Sequence, residues 1–100
     1  MDTTKRLLGA LSAEIARTEE LLGRARQEAD RAREELTDAR LRLLIAETPI
    51  ADLHHQRAAS AFSGRSAVVG RLEILLKALR HEESGRIPPK PAGAPVRRTA

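Results

Sequence analysis

The feature that most constrains the fold is an apolar stripe between Asp2 and Thr48. Its side chains recur at alternating spacings of three and four residues without a skip. A 3.5-residue repeat held over six heptads predicts a long helix in a left-handed coiled coil. The a positions of this heptad stripe are Leu8, Ile15, Leu22, Ala29, Leu36 and Leu43, and its d positions are Leu11, Thr18, Ala25, Ala32, Ala39 and Ala46. Such a stripe predicts an architecture with a partner helix, but it indicates no biochemical activity.

Charged residues follow the heptad stripe on both sides. In a parallel pair of chains, Glu28 of one copy would face Arg33 of the other, and Glu35 would face Arg40. Exposed ion pairs of this kind contribute only about 0–1 kcal/mol each. We therefore expect these charges to select a partner helix more than to stabilise the complex.

The dipeptide Thr48-Pro49 is the clearest break in the helical pattern. Proline cannot continue a helix, but it suits the first turn of a new one, with Thr48 as the N-cap. We expect helices over about 3–47, 49–62 and 66–83, with Ser63-Gly64 bending or interrupting the second half and Ser84-Gly85 ending it. So short a turn makes the two halves antiparallel neighbours, in which opposed residues have numbers that sum to about 97.

The predicted fold class is all-α: a long helix folded back on a shorter, bent helix as an antiparallel helical hairpin over residues 1–83. In that register small side chains meet large ones, because Ala25, Ala29 and Ala32 oppose Leu72, Val69 and Val68. The segments 41–45 and 68–79 nevertheless carry more apolar surface than one partner helix can cover. We expect a coiled-coil or helical-bundle homo-oligomer, most simply a dimer. Its predicted seam consists of Leu8, Leu11, Ile15, Leu22, Leu36, Leu43, Leu72, Leu76 and Leu79.

The net charge of +4 belongs to the C-terminal tail, residues 84–100. This Pro-rich tail contains Arg86, Lys90, Arg97 and Arg98 and no acidic residue. We expect the tail to be disordered, and its four cations are the candidate phosphate contacts. Arginine and alanine are abundant throughout the chain, which is typical of GC-rich bacterial genomes.

The sequence gives little support for enzymatic activity or for a metal site. The chain contains no cysteine, and the neighbouring His54 and His55 would point about 100° apart on a helix. No nucleophile–base arrangement and no phosphate-binding glycine loop can be recognised. We therefore expect no catalytic residues, no metal and no cofactor. Neither a signal peptide nor a membrane-spanning run is present, so a cytoplasmic protein is expected.

These patterns favour a non-enzymatic coiled-coil assembly or adaptor protein that acts through protein–protein interaction. Its first expected partner is a second copy of itself, and another helical protein is the second candidate. The alternative is an accessory nucleic-acid-binding protein, of plasmid, phage or regulatory origin, that dimerises through its helices and uses basic residues on phosphate. Salt-dependent DNA retention that disappears with the tail would separate the two.

Overall fold

The chain forms an antiparallel hairpin of two helices. The computed structural model describes residues 2–86, and the side chains of residues 3–85. Helix α1 spans Asp2–Ala46 and helix α2 spans Pro49–Arg86. The predicted all-α hairpin, a long helix folded back on a shorter one, is confirmed. At 1.5 Å per residue the 45 residues of α1 extend about 68 Å, and the longest dimension of the chain is 69 Å.

The heptad stripe is the inner face of α1. All the buried residues of this helix belong to the stripe: Ile15, Thr18, Leu22, Ala25, Ala32 and Ala39. Ile15 and Leu22 form the centre of the core with Leu76 of α2, and Val69, Leu72 and Leu79 pack against them. The buried hydroxyl of Thr18 donates a hydrogen bond of 2.8 Å to the carbonyl of Glu14, so this polar group is satisfied inside the stripe.

The turn between the helices is capped on both sides. The backbone N–H of Ala51 donates to the hydroxyl of Thr48 at 3.1 Å, which confirms Thr48 as the N-cap of α2. Glu47 has a φ of 48°, and its N–H donates to the carbonyl of Leu43 at 2.9 Å. This left-handed residue with its bond to the preceding turn closes α1.

Replacing Glu47 by glycine is expected to stabilise the hairpin by up to about 1 kcal/mol. A side chain with a Cβ is strained at positive φ, and glycine is not. Glu47→Ala is the matched control, because alanine removes the carboxylate and keeps the Cβ. A higher melting temperature for the glycine variant alone supports the account, whereas equal melting temperatures would mean that φ strain contributes nothing here.

The prediction of two breaks in the second helix, at Ser63-Gly64 and at Ser84-Gly85, is wrong. Helix α2 is one uninterrupted helix of 38 residues that runs through Ser63-Gly64, where the sequence predicted one helix to end near residue 62 and another to begin near residue 66. A glycine inside a helix costs only about 1 kcal/mol relative to alanine, and the flanking turns offset this by packing against α1. The helix also continues past Ser84-Gly85 to Arg86, two residues before Pro88, and proline disfavours the helical conformation in the residue that precedes it.

Candidate protein–protein interface

Charged side chains from both helices lie along one side of the hairpin and pair with each other. We call this surface the charged flank, and it consists of Glu19, Arg26, Arg33, Glu73 and Arg80. Glu19 forms an ion pair with Arg80, and Arg26 forms another with Glu73 at 3.0 Å. The guanidinium of Arg33 lies 5.8 Å from the ring centroid of Phe62, within the range of a cation–π contact.

The ion pairs of the charged flank report the register of the hairpin. In both pairs the residue numbers sum to 99, close to the 97 predicted from the position of the turn. All four side chains are about half exposed, so each pair contributes at most about 1 kcal/mol. We conclude that these contacts align the helices while the stripe supplies most of the stabilising apolar contact.

The opposite side of the hairpin presents aliphatic side chains between its charged ones. We call this surface the apolar flank, and its apolar members are Leu7, Leu21, Ala61, Val68 and Leu75. Each precedes an inward-facing residue by one position, which places it on the side away from the charged flank. The three leucines and Val68 are 42–46% exposed. No residue of the chain between 2 and 86 shields them further.

Charged residues on the apolar flank are partly paired within the chain. Glu28 forms an ion pair with Arg65 of α2, so it does not need the Arg33 of a second, parallel copy. Beside this pair lies a shallow hollow lined by Ala25, Ala61, Gly64 and Val68. Small side chains from both helices therefore leave an open depression in the middle of the apolar flank.

The tip of the hairpin carries a cluster of exposed aliphatic residues. We define the apolar tip as Leu41, Leu44, Ile45, Ile50 and Leu53, whose exposed fractions range from 43 to 85%. Ile45 and Ile50 line a hollow with Arg42 and His54 on the apolar-flank side. Leu44 lines a second hollow with Glu47 and Asp52 on the other side.

The predicted oligomer seam packs largely within the single chain. Ile15, Leu22 and Leu76 are buried in the hairpin. The other six, which are half-buried, are Leu8, Leu11, Leu36, Leu43, Leu72 and Leu79. Their role between copies stays a prediction. Sequence reasoning placed Leu75 in the broad apolar segment 68–79 but did not single out Leu21, although its position one residue before Leu22 of the heptad stripe was a usable signal.

The candidate phosphate contacts fall at the edge of the described chain or beyond it. Arg86 is the last residue of α2, and its side chain lies outside the described residues together with Lys90, Arg97 and Arg98. Of the tail predicted to be disordered, residues 84–86 belong to α2, and residues 87–100 lie outside the described residues as well.

The search for other chemistry gives two findings for the described part of the chain. Within residues 2–86, no three His, Cys, Asp or Glu side chains come together as a group that could hold a metal ion. Neither helix, over the same residues, is long and apolar enough to cross a membrane.

Comparison with protein-family models, with curated proteins and with solved structures gives no match to this chain.

Proposed function

We propose that this chain is a non-enzymatic assembly or adaptor protein whose first partner is a second copy of itself. In this proposal two hairpins pack through their apolar flanks into a four-helix bundle. The observation that carries it is the difference between the two flanks, because one is closed by complementary charges and the other exposes aliphatic side chains.

The thinness of the hairpin supports self-association. Helical domains bury their apolar stripes between packed layers, whereas a two-helix hairpin has a single helix–helix interface. Among residues 3–85, three large aliphatic side chains are buried and ten are exposed to solvent. Larger contiguous apolar patches on soluble proteins usually mark interaction sites. A second hairpin would cover the flank and complete the core.

The composition of the apolar flank also fits a protein interface. It combines the aliphatic Leu21, Val68 and Leu75 with charged groups that are paired within the chain, such as Glu28 with Arg65 beside Val68. Protein–protein interfaces commonly combine apolar contact with polar groups that have partners. The apolar tip remains available for another helical protein, which is the adaptor component of the proposal.

Leu75→Arg is expected to lower the molar mass of the protein at micromolar concentration towards that of a single chain. The substitution places an unpaired guanidinium in the centre of the proposed interface, where desolvation costs several kcal/mol. Multi-angle light scattering after size exclusion measures the mass, and circular dichroism reports whether the helices persist.

Leu44→Arg is the matched control, because Leu44 is even more exposed than Leu75 but lies on the side of the charged flank. Its mass should equal that of the unmodified protein. If Leu75→Arg also keeps the unmodified mass, the apolar flank is not the interface. If the unmodified protein is itself a monomer, self-association fails altogether.

The alternative function, nucleic-acid binding, draws on the four cations of residues 84–100, which no acidic residue accompanies. Binding through such cations weakens steeply with salt. Deleting residues 87–100 removes three of the four cations and no described side chain. DNA retention by the full chain at low salt, lost on this deletion, would favour the alternative.

A further inference from the structure

The two hollows of the apolar tip differ in charge. Among the described residues, the hollow that Ile45 and Ile50 line has Arg42 at its rim and no acidic residue; we call it the basic hollow. The hollow on the other side of the turn is lined by Glu47 and Asp52 and by no basic residue of the described chain; we call it the acidic hollow. The tip is therefore an apolar surface that carries one sign of charge on each side.

The charges at the two hollows are not paired within the hairpin. Among residues 3–85, the side chains of Arg42 and Glu47 form no ion pair, although Asp38 lies one helical turn before Arg42. Asp52 accepts a hydrogen bond of 3.0 Å from the side-chain amide of Gln56, which is a neutral donor and leaves the charge of the carboxylate in place. Both signs of charge are therefore available to a partner.

We infer that the apolar tip binds an amphipathic helix of another protein, with acidic residues along one border of its apolar face and basic residues along the other. This inference rests on the adaptor component of the proposed function and specifies the chemistry of the partner. The apolar face of the helix would lie on the exposed aliphatic side chains of the tip. Its acidic border would face Arg42, and its basic border would face Glu47 and Asp52. Complementary charges of this kind select the partner more than they raise affinity.

The shape of the tip also fits a helix. A hairpin of two helices is one helix thick, about 10–12 Å with side chains. A partner helix that follows the turn from the end of α1 to the start of α2 would therefore place its two borders over the two hollows. The basic hollow has a volume of about 300 Å3 and is lined by the buried Ala51, so an aliphatic side chain can enter it. Residues 2–86 offer no strand edge to which an extended peptide could add.

Three synthetic peptides of equal length test the charge pattern. All three have the same leucine and alanine face, and they differ only in the residues along its borders: glutamate on one and lysine on the other, glutamate on both, or lysine on both. Because a helix can dock in either direction, the mixed peptide matches the tip in one of them, whereas the single-sign peptides match in neither. In fluorescence anisotropy with the full chain at low salt, the mixed peptide should bind about two- to fivefold more tightly than the others.

Substitutions at the tip are expected to change this binding in specific ways. With Arg42→Glu both sides of the tip are acidic, so the all-lysine peptide should become the tightest binder. Ile50→Arg should weaken binding of the mixed peptide by about tenfold or more, because it places a charge in the apolar contact. Ile74→Arg is the matched control, since Ile74 is also an exposed isoleucine of α2, at 72% against 66% for Ile50. It lies about 36 Å further along the helix, so it should leave binding unchanged.

Absence of binding by all three peptides would overturn the inference, as would equal losses for Ile50→Arg and Ile74→Arg. An unchanged preference in Arg42→Glu would show that the charges of the tip do not select the partner, and would overturn it as well. Light scattering without peptide keeps the proposed self-association separate. If Ile50→Arg alone lowers the mass, a second copy occupies the tip and the inference is overturned. An unmodified monomer that binds the mixed peptide at the tip would support the inference and contradict self-association alone.

Discussion

Leu22→Asp is expected to unfold most of the helical structure. Leu22 is 4% exposed and belongs to the core with Ile15 and Leu76. An ionised carboxylate at this position would lie among apolar side chains, and burying it there costs several kcal/mol. Small domains have only about 5–15 kcal/mol of stability in total, and this core contains few large side chains. We expect a large fall in the helical circular dichroism signal at room temperature.

Leu41→Asp is the control for this prediction. Leu41 is also a leucine of α1, but it is 53% exposed, so the new carboxylate stays in water. The helical signal of this variant should match that of the unmodified protein. A Leu22→Asp protein that remains fully helical and melts at the same temperature would show that the heptad stripe is not the core.

Ala32→Leu is expected to destabilise the hairpin by about 1–3 kcal/mol, the usual cost of overpacking a close contact. Ala32 is 5% exposed although its side chain is a single methyl group, so neighbouring atoms cover it closely. A leucine there forces the helices apart or adopts an unfavourable rotamer. Denaturant unfolding followed by circular dichroism measures the change.

Ala16→Leu serves as the matched control, because Ala16 is exposed on the same helix and leucine has nearly the helix propensity of alanine. Its unfolding midpoint should remain within experimental scatter of the unmodified value. Equal or greater stability for Ala32→Leu would indicate that the d-position alanines do not hold the helices close.

The heptad periodicity was sufficient to predict the first helix, its inner face and the register of the hairpin. The buried residues of α1 are members of the predicted stripe, and in both ion pairs of the charged flank the two residue numbers sum to 99, close to the predicted 97. Periodicity succeeds here because one face repeats without interruption, and the short turn at Thr48-Pro49 permits only antiparallel packing.

The organisation of the two flanks could not be predicted in the same way. The residues beside the stripe were paired on the assumption of a parallel second chain, but Glu28 binds Arg65 of its own α2. Arg65 occupies a position where the inner face of α2 would otherwise carry an apolar residue, and its guanidinium reaches sideways to the carboxylate. Such a choice of partner depends on which helix lies alongside, which is tertiary information that local spacing does not contain.

The uninterrupted second helix has a similar explanation. Ser63-Gly64 is a weak helix-forming sequence, and local propensity alone favoured a break. Val69, Leu72 and Leu79 pack against the core that α1 provides, and this contact continues the helix through the weak segment. Tertiary packing therefore decided a feature that propensity alone assigned wrongly.

The central claim is that the apolar flank makes this protein a stable self-assembling helical bundle. Light scattering across a dilution series, with circular dichroism on the same samples, tests it most directly. We predict a folded species with at least twice the 11.0 kDa mass of one chain at micromolar concentration. A folded, monodisperse 11.0 kDa species over that range would contradict the claim and leave the exposed leucines for a different partner protein.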